Sequence, residues 1–229
     1  MKEINISVSI LVSFAVSLSA LLFCTMMPAD VLAEDGSKVL MIPREGYSAD
    51  IELMLDKEVR VMTLMLMRAG FRVDVATASG VHIISPGQDL IPDLKLVDVK
   101  VDDYAGFIMP CMAVGGIPGP PVAPEAVAIV KAAVAQDKPV AAQFGSIVIM
   151  AEAGVLKGKK YSFSMDPLKP NPFWKKDIRF VGAIYSGRDV VQDGNIITSG
   201  ICPFIEKRWG RKDGTAVLTQ ALIDELKKK

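Results

Sequence analysis

The sequence is 229 residues long, 51% hydrophobic and 23% charged, which suits a single α/β domain. Basic and acidic residues balance at 26 each, so the chain lacks the net charge of a nucleic-acid-binding protein or a polybasic membrane patch. We therefore expect no nucleic-acid partner. With His82 as the single histidine and no C-x-x-C spacing, we also expect no metal and no other cofactor.

The first 33 residues predict an export signal. Lys2 precedes a largely apolar run over residues 4–27, and small or apolar residues precede a cut after Ala33. This pattern predicts a signal peptide over 1–33 and a single exported domain, periplasmic or secreted, over 34–229. An uncleaved membrane anchor is the alternative, because about 20 apolar residues can span a bilayer.

The next segment predicts a strand, a helix and a second strand. Residues 38–43 form a short apolar run that is typical of a buried parallel strand. Residues 51–69 place apolar side chains at the spacing of one helix face, and Gly70 is the expected cap. Residues 71–76 alternate as a second strand, and the connector over 82–101 predicts only short strands.

The alternation of strands and helices continues through the middle of the chain. Residues 104–110 predict a third core strand, and residues 125–136 a helix with Pro124 at its start. Residues 140–142 predict a fourth buried strand, which leads through a Gly-Ser pair into an apolar helix over 147–154. A strand, a sharp turn and a helix in this order are the geometry of a nucleophile elbow.

The last third predicts an irregular excursion followed by strands and a closing helix. Residues 157–176 hold several prolines and aromatic residues, as irregular surface segments do. The expected elements after it are short strands over 178–184 and 189–191, a hairpin turn at 193–194, a last core strand over 195–199, a solvated basic loop over 207–212 and a helix over 215–226.

The elbow segment resembles the ThiJ/PfpI family of the class I glutamine amidotransferase-like superfamily. Members typically read A-A-I-C-H-G-P, then five mostly apolar or small residues, then A-G-V-L-x-G. The sequence here reads A-A-Q-F-G-S and later A-G-V-L over residues 153–156. Counted back without gaps, the family's elbow cysteine falls on Phe144 and its histidine on Gly145. The resemblance implies a flavodoxin-like three-layer α/β domain with a parallel sheet ordered 2-1-3-4-5 and the elbow on strand four.

Two further strand ends match family motifs with altered residues. After the third strand, the family has P-G-G where this chain has Pro110 followed by Cys111 and Met112. In relatives the glycine backbone helps to form an oxyanion hole. After the last core strand, the family's arginine, glycine and proline are replaced in order by Gly200, Ile201 and Cys202.

The family's acidic residue beside the elbow cysteine also has no obvious counterpart. Matching residues 51–53 to the family's V-E-L puts Ala49 in that position. Asp50 and the earlier Glu45 are the acids that a loop movement could bring there instead.

These substitutions favour an exported pseudoenzyme that binds a small molecule or a protein partner without catalysis. Phe144 is expected to plug the pocket as an apolar side chain. The vestigial pocket is predicted to comprise Ala49, Asp50, Cys111, Met112, Phe144, Gly145, Ser146, Gly200 and Cys202.

Two alternatives stay open. One is an enzyme with relocated chemistry of a hydrolase, glyoxalase-like or deglycase-like type, with Cys111 or Ser146 as nucleophile. Ser146 would need a general base, and His82 is expected away from the elbow, so we expect Ser146 to cap the helix instead. The other is a structural subunit, since the resemblance implies a homo-oligomer, a dimer or larger.

The two cysteines of the predicted mature chain are expected to approach each other over the pocket. Cys111 follows strand three and Cys202 follows strand five, so one strand separates them. Their strand ends are then about 10 Å apart, whereas a disulfide needs Cα atoms within about 7 Å. Two buried thiols and a disulfide across the pocket mouth are the alternatives.

Overall fold

The computed structural model describes residues 36–115, 120–170 and 175–228. The predicted signal peptide lies outside these residues, so its cleavage and the mature boundary stay predictions. Within the described ranges, no helix combines the length and the apolar character needed to cross a bilayer.

A seven-stranded sheet forms the centre of the domain. Its spatial order is β3-β2-β1-β4-β5-β9-β8, and every neighbouring pair is parallel except β8 with β9. The strands are β1 (Lys38–Met41), β2 (Arg72–Thr77), β3 (Leu94–Lys95), β4 (Gly106–Met109), β5 (Val140–Gln143), β8 (Val191–Asp193) and β9 (Ile196–Ser199). A separate small parallel sheet pairs β6 (Lys160–Tyr161) with β7 (Ile184–Tyr185).

Helices cover both faces of the sheet. They are α1 (Ile51–Met54), α2 (Arg60–Arg68), α3 (Pro124–Ala135), α4 (Ile147–Glu152), α5 (Pro203–Trp209) and α6 (Thr215–Leu226). Strand residues alternate between the two faces: Leu40 packs in the cluster that contains α3 and α4, whereas Val39 and Met41 pack in the cluster that contains α2 and α6. The domain is therefore a three-layer sandwich with one apolar core on each side of the sheet.

The predicted fold class and strand order are confirmed. The predicted core strands one to five are β1, β2, β4, β5 and β9, and their spatial order is 2-1-3-4-5. The order reverses between β1 and β4, so the crevice at their carboxyl ends is where open α/β sheets bind ligands.

Three local elements differ from the expectations. A π-helical turn, Leu55–Val59, joins α1 to α2 within the predicted first helix. Ile178–Phe180 forms a 3-10 turn rather than a strand, because the Asp177 side chain accepts a hydrogen bond from the Arg179 N–H and caps the turn. Part of the predicted basic loop is helical: it belongs to α5, which begins with Pro203 and is capped after Trp209 by Gly210 in the left-handed conformation.

Candidate functional site

The elbow turn keeps its strained backbone although its nucleophile is absent. β5 runs into a 3-10 turn, Phe144–Ser146, and α4 follows directly. Phe144 has φ 28°, a left-handed conformation that a bulky side chain adopts only when the surrounding structure enforces it. Its half-buried ring packs against Phe163 with centroids 4.9 Å apart. An apolar ring thus stands where the family resemblance places a thiol.

The thiol of Cys111 lies against this turn. The backbone N–H of Gly145 donates to Cys111 Sγ at 3.4 Å. A Cβ atom on Gly145 would approach that sulfur to 3.1 Å. A histidine at position 145 would therefore require Cys111 to move. Gly145 and Cys111 both differ from the family motif, and each of these differences depends on the other.

The side chain of Glu58 binds the backbone at Cys111 and Met112. It is fully buried in the π-helical turn, and its two carboxylate oxygens accept the N–H groups of Cys111 at 2.9 Å and Met112 at 3.0 Å. Burial, and then the charge of Cys111, raise the pKa of the Glu58 carboxyl well above its usual value. The backbone donors that the resemblance assigned to an oxyanion hole are occupied by a carboxylate of the chain itself.

Glu58 is not among the residues predicted from the sequence, although one signal for it is present there. Glu58 is a single acid on the apolar face formed by Leu55, Val59 and Met62. A buried acid needs partners, so its position on that face indicates a polar contact inside the core. A π-helical turn, which is often found at functional sites, brings it there.

The acids considered from the sequence do not enter the site. Ala49 is exposed, and its N–H donates to the Ala113 carbonyl at 3.1 Å. Asp50 caps α1 and pairs with Lys207 on α5 at 2.7 Å, and this contact lowers the pKa of the Asp50 carboxyl. Glu45 instead accepts hydrogen bonds from the backbone and hydroxyl of Ser79.

Cys111 and Cys202 are buried free thiols that lie in the same small cluster of side chains. They lie in one small apolar cluster with Met54 and Ile205. Gly200, two residues before Cys202, packs against the Phe163 backbone, where an added Cβ would fall 2.5 Å from the Phe163 carbonyl carbon. The expected proximity is therefore present, without a disulfide.

Burial opposes ionisation of Cys111, but other contacts outweigh it. The Cys202 thiol, the N–H groups of Gly145 and Ala113, and the charge of Arg44 together lower the pKa of the Cys111 thiol. Burial and the neighbouring Cys111 raise the pKa of the Cys202 thiol well above its usual value. The two thiols are thus chemically unequal.

Ser146 is committed to a structural contact. Its buried hydroxyl donates to the carbonyl of Pro110 at 2.5 Å. It makes no side-chain hydrogen bond to the N–H groups of α4, so the capping expectation was wrong. The contact ties the elbow turn to the end of β4.

Arg44 fastens the loops around the elbow. Its buried guanidinium donates to the carbonyls of Gly145 at 2.9 Å, Val114 at 3.2 Å and Pro120 at 3.2 Å. Arg44 thus links the loop after β1, the connection from β4 to α3 and the elbow turn. The position of the elbow therefore depends on this side chain.

Two clefts open beside this closed centre. The larger, about 480 Å³, is lined by Met112 and Val114 after β4 and by His82 and Ile84 on the connector. The smaller, about 250 Å³, lies between the β1 end and the start of α3. Arg44 and Glu45 border both clefts. His82 thus shares a cleft with Met112, one of the residues predicted for the vestigial pocket.

Comparison with known proteins identifies the family. The family model described as the DJ-1/PfpI family matches residues 37–203. The chain belongs to the DJ-1/PfpI family. An uncharacterised protein of Archaeoglobus fulgidus is 35% identical over 152 residues, which cover 63% of this chain and 81% of that protein. An uncharacterised protein of Methanocaldococcus jannaschii is 34% identical over 134 residues, 57% of this chain and 61% of that protein.

Solved structures agree on the DJ-1/PfpI fold. A ThiJ/PfpI domain protein from Brachyspira murdochii matches with a TM-score of 0.61 at 16% identity, covering 84% of this chain and 97% of that one. A ThiJ/PfpI family protein from Pseudomonas syringae gives 0.58 at 17% identity, covering 92% and 78%. At these identities the likeness concerns the fold alone.

Proposed function

We propose that this DJ-1/PfpI chain is an exported binding protein whose elbow site performs no turnover. The observation that carries the proposal is that side chains of the chain itself occupy the positions of the family's nucleophile and oxyanion hole. Phe144 holds the nucleophile position, and Glu58 occupies the N–H groups of Cys111 and Met112. A substrate carbonyl would find neither a nucleophile at the elbow nor free donors for an oxyanion. Self-association, as the family resemblance implies, is part of the same proposal.

The larger cleft is the proposed binding site, for a small, mostly apolar molecule. Its volume of about 480 Å³ lies within the range of small-molecule sites, roughly 300–1,000 Å³. Apolar side chains such as Ile84 and Val114 provide most of its lining, and His82 and Ser48 add a few polar groups. The cleft also lies near the strand-order reversal, where ligands enter open α/β sheets.

A thermal-shift screen of the predicted mature chain, residues 34–229, tests binding. A ligand at 100 times its Kd stabilises the folded chain by about 2.7 kcal/mol. Ile84→Ser, on the cleft wall, should reduce the shift, whereas Val97→Ser, outside the cleft, should leave it unchanged. The two side chains are matched in exposure at 74% and 70%. Hits that shift both variants as much as the wild type would place binding elsewhere.

Relocated thiol chemistry is the second candidate, and one observation favours it. The N–H of Gly145 holds the Cys111 sulfur beside the elbow, and the pKa of that thiol is lowered despite burial by its hydrogen bonds and by Arg44. A hydrolase, glyoxalase-like or deglycase-like reaction would then use Cys111 as the nucleophile. Turnover that Cys111→Ala abolishes would favour this candidate over binding alone. The Ser146 hydroxyl, bound to a backbone carbonyl, does not support the same role.

A further inference from the structure

Two thiols in contact inside a closed pocket can do redox chemistry that needs no open active site. Cys111 and Cys202 come from loops after β4 and β9, on either side of the elbow strand. We propose that Cys111 and Cys202 form a reversible dithiol–disulfide site for small hydroperoxides, with Cys111 as the attacking thiol and Cys202 as the resolving thiol. This assignment does not depend on ligand binding in the neighbouring cleft.

The surroundings of the two sulfurs give them these different roles. Cys111 Sγ accepts the Gly145 N–H, and the hydrogen bonds and the Arg44 charge that oppose burial favour its thiolate. Cys202 is held as a neutral thiol by burial and by its neighbour. A thiolate attacks an oxidant, and a neutral thiol next to it is positioned for the second step.

Hydrogen bonds hold the backbone beside both thiols, so the thiols are close together before any oxidant arrives. Glu58 holds the N–H of Cys111. Gln143 Nε2, on the strand between them, donates to the carbonyl of Ile201 at 2.7 Å, one residue before Cys202. Met112 and Ala113, directly after Cys111, both have left-handed backbones, with φ of 58° and 50°. Strained non-glycine residues of this kind tend to occur at functional sites.

The reaction balances in two steps. The Cys111 thiolate attacks the outer oxygen of a hydroperoxide, the O–O bond breaks, and an S–O bond forms. The leaving alkoxide or hydroxide takes a proton from water, and sulfur is oxidised by two electrons to a sulfenic acid. Cys202 then attacks that sulfur, the S–O bond breaks, an S–S bond forms, and water leaves with the thiol proton. An external dithiol reverses the change by two thiol–disulfide exchanges.

The larger cleft borders the β4 loop that carries Cys111. Cys111 is 1% exposed, but the next residue, Met112, lines the larger cleft. A hydroperoxide as small as hydrogen peroxide needs only a local opening of this loop, whereas larger alkylating reagents need a wider one. The expected selectivity is therefore for small oxidants.

The test treats the full-length chain with hydrogen peroxide and maps its peptides by mass spectrometry before and after dithiothreitol. We expect a Cys111–Cys202 linked peptide, two hydrogens lighter than the sum of its parts, which dithiothreitol removes. Cys24, in the 1–33 segment, supplies the matched control, since Cys24→Ser should leave the linked peptide unchanged. Thermal unfolding of each variant confirms that it is folded, and Cys→Ala replaces Cys→Ser where it is not.

The variants separate the two roles. With a sulfenic-acid trap present, Cys202→Ser should accumulate the adduct at position 111, because the resolving thiol is missing. Cys111→Ser should leave Cys202 at least about tenfold less oxidised, because its thiol is not activated. Folded wild-type chain that forms no linked peptide, or equal trapping at both positions, would overturn the proposal.

Discussion

Replacing Glu58 with Gln tests whether this buried carboxylate holds the site together. Glutamine has one acceptor oxygen, so one of the N–H groups of Cys111 and Met112 would face an amide N–H instead. An unsatisfied buried donor costs about 1–3 kcal/mol. For a domain of this size, each kcal/mol lowers Tm by about 2–4 °C.

The same change should alter the pH dependence of stability. The pKa of Glu58 is raised in the folded chain, chiefly by burial, above its usual value of 4.5. The folded chain therefore holds this proton more tightly, and folded stability falls as pH rises from 4.5 towards the folded pKa. One such group contributes a slope of up to about 1.4 kcal/mol per pH unit. Glu58→Gln removes that slope, so its cost should be largest at acidic pH and shrink as pH rises.

Urea denaturation of wild type and variant at several pH values measures both effects. Glu52→Gln is the matched control, because Glu52 is exposed on α1 and should change stability by less than about 0.5 kcal/mol. The reasoning is refuted if Glu58→Gln unfolds within about 0.5 kcal/mol of wild type at every pH, or if it keeps the wild-type pH slope.

Three other substitutions test the surrounding contacts. Phe144→Cys alone should show no turnover of methylglyoxal, since Gly145 supplies no histidine and Ala49 supplies no acid beside the new thiol. Activity like that of an ordinary relative would show that these partner groups come from elsewhere. Arg44→Gln should raise the pKa of Cys111, because the Arg44 charge favours the thiolate. The change would be measured as a shift of the ultraviolet absorbance of the thiolate to higher pH, with exposed Arg68→Gln as the control that leaves it in place. An unshifted titration would contradict the role of the Arg44 charge. Gly200→Ala should lower the free energy of unfolding by about 3 kcal/mol or more in urea denaturation, because its Cβ would overlap the Phe163 backbone. Gly87→Ala should lower it less, since the added Cβ meets only a Glu52 oxygen at 3.4 Å. Equal losses would argue against close packing at Gly200.

The fold was predictable because each core strand is a short apolar run at the position a family motif gives it. The closing helix was predicted at 215–226 and is observed as Thr215–Leu226. α5 was missed although Pro203 and Gly210 carry ordinary start and stop signals, since its basic residues suggested a loop.

The site was predictable only in outline. The sequence indicated an elbow without its nucleophile and two cysteines near it. The contact between Cys111 and Gly145 depends on a left-handed turn at Met112 and Ala113, and no glycine marks that turn. Glu58 was missed because the acid was sought at the start of the helix, at Ala49, whereas a π-helical turn presents it farther along.

The central claim is that the chain binds without elbow chemistry, and a turnover assay tests it most directly. Wild type and Cys111→Ala are assayed side by side for methylglyoxal loss with lactate formation, and for peptide hydrolysis, at saturating substrate. The account predicts that neither protein exceeds the rate without protein, because Phe144 and Glu58 fill the places of nucleophile and oxyanion. Wild-type turnover that Cys111→Ala abolishes would contradict it and assign catalysis to the relocated thiol.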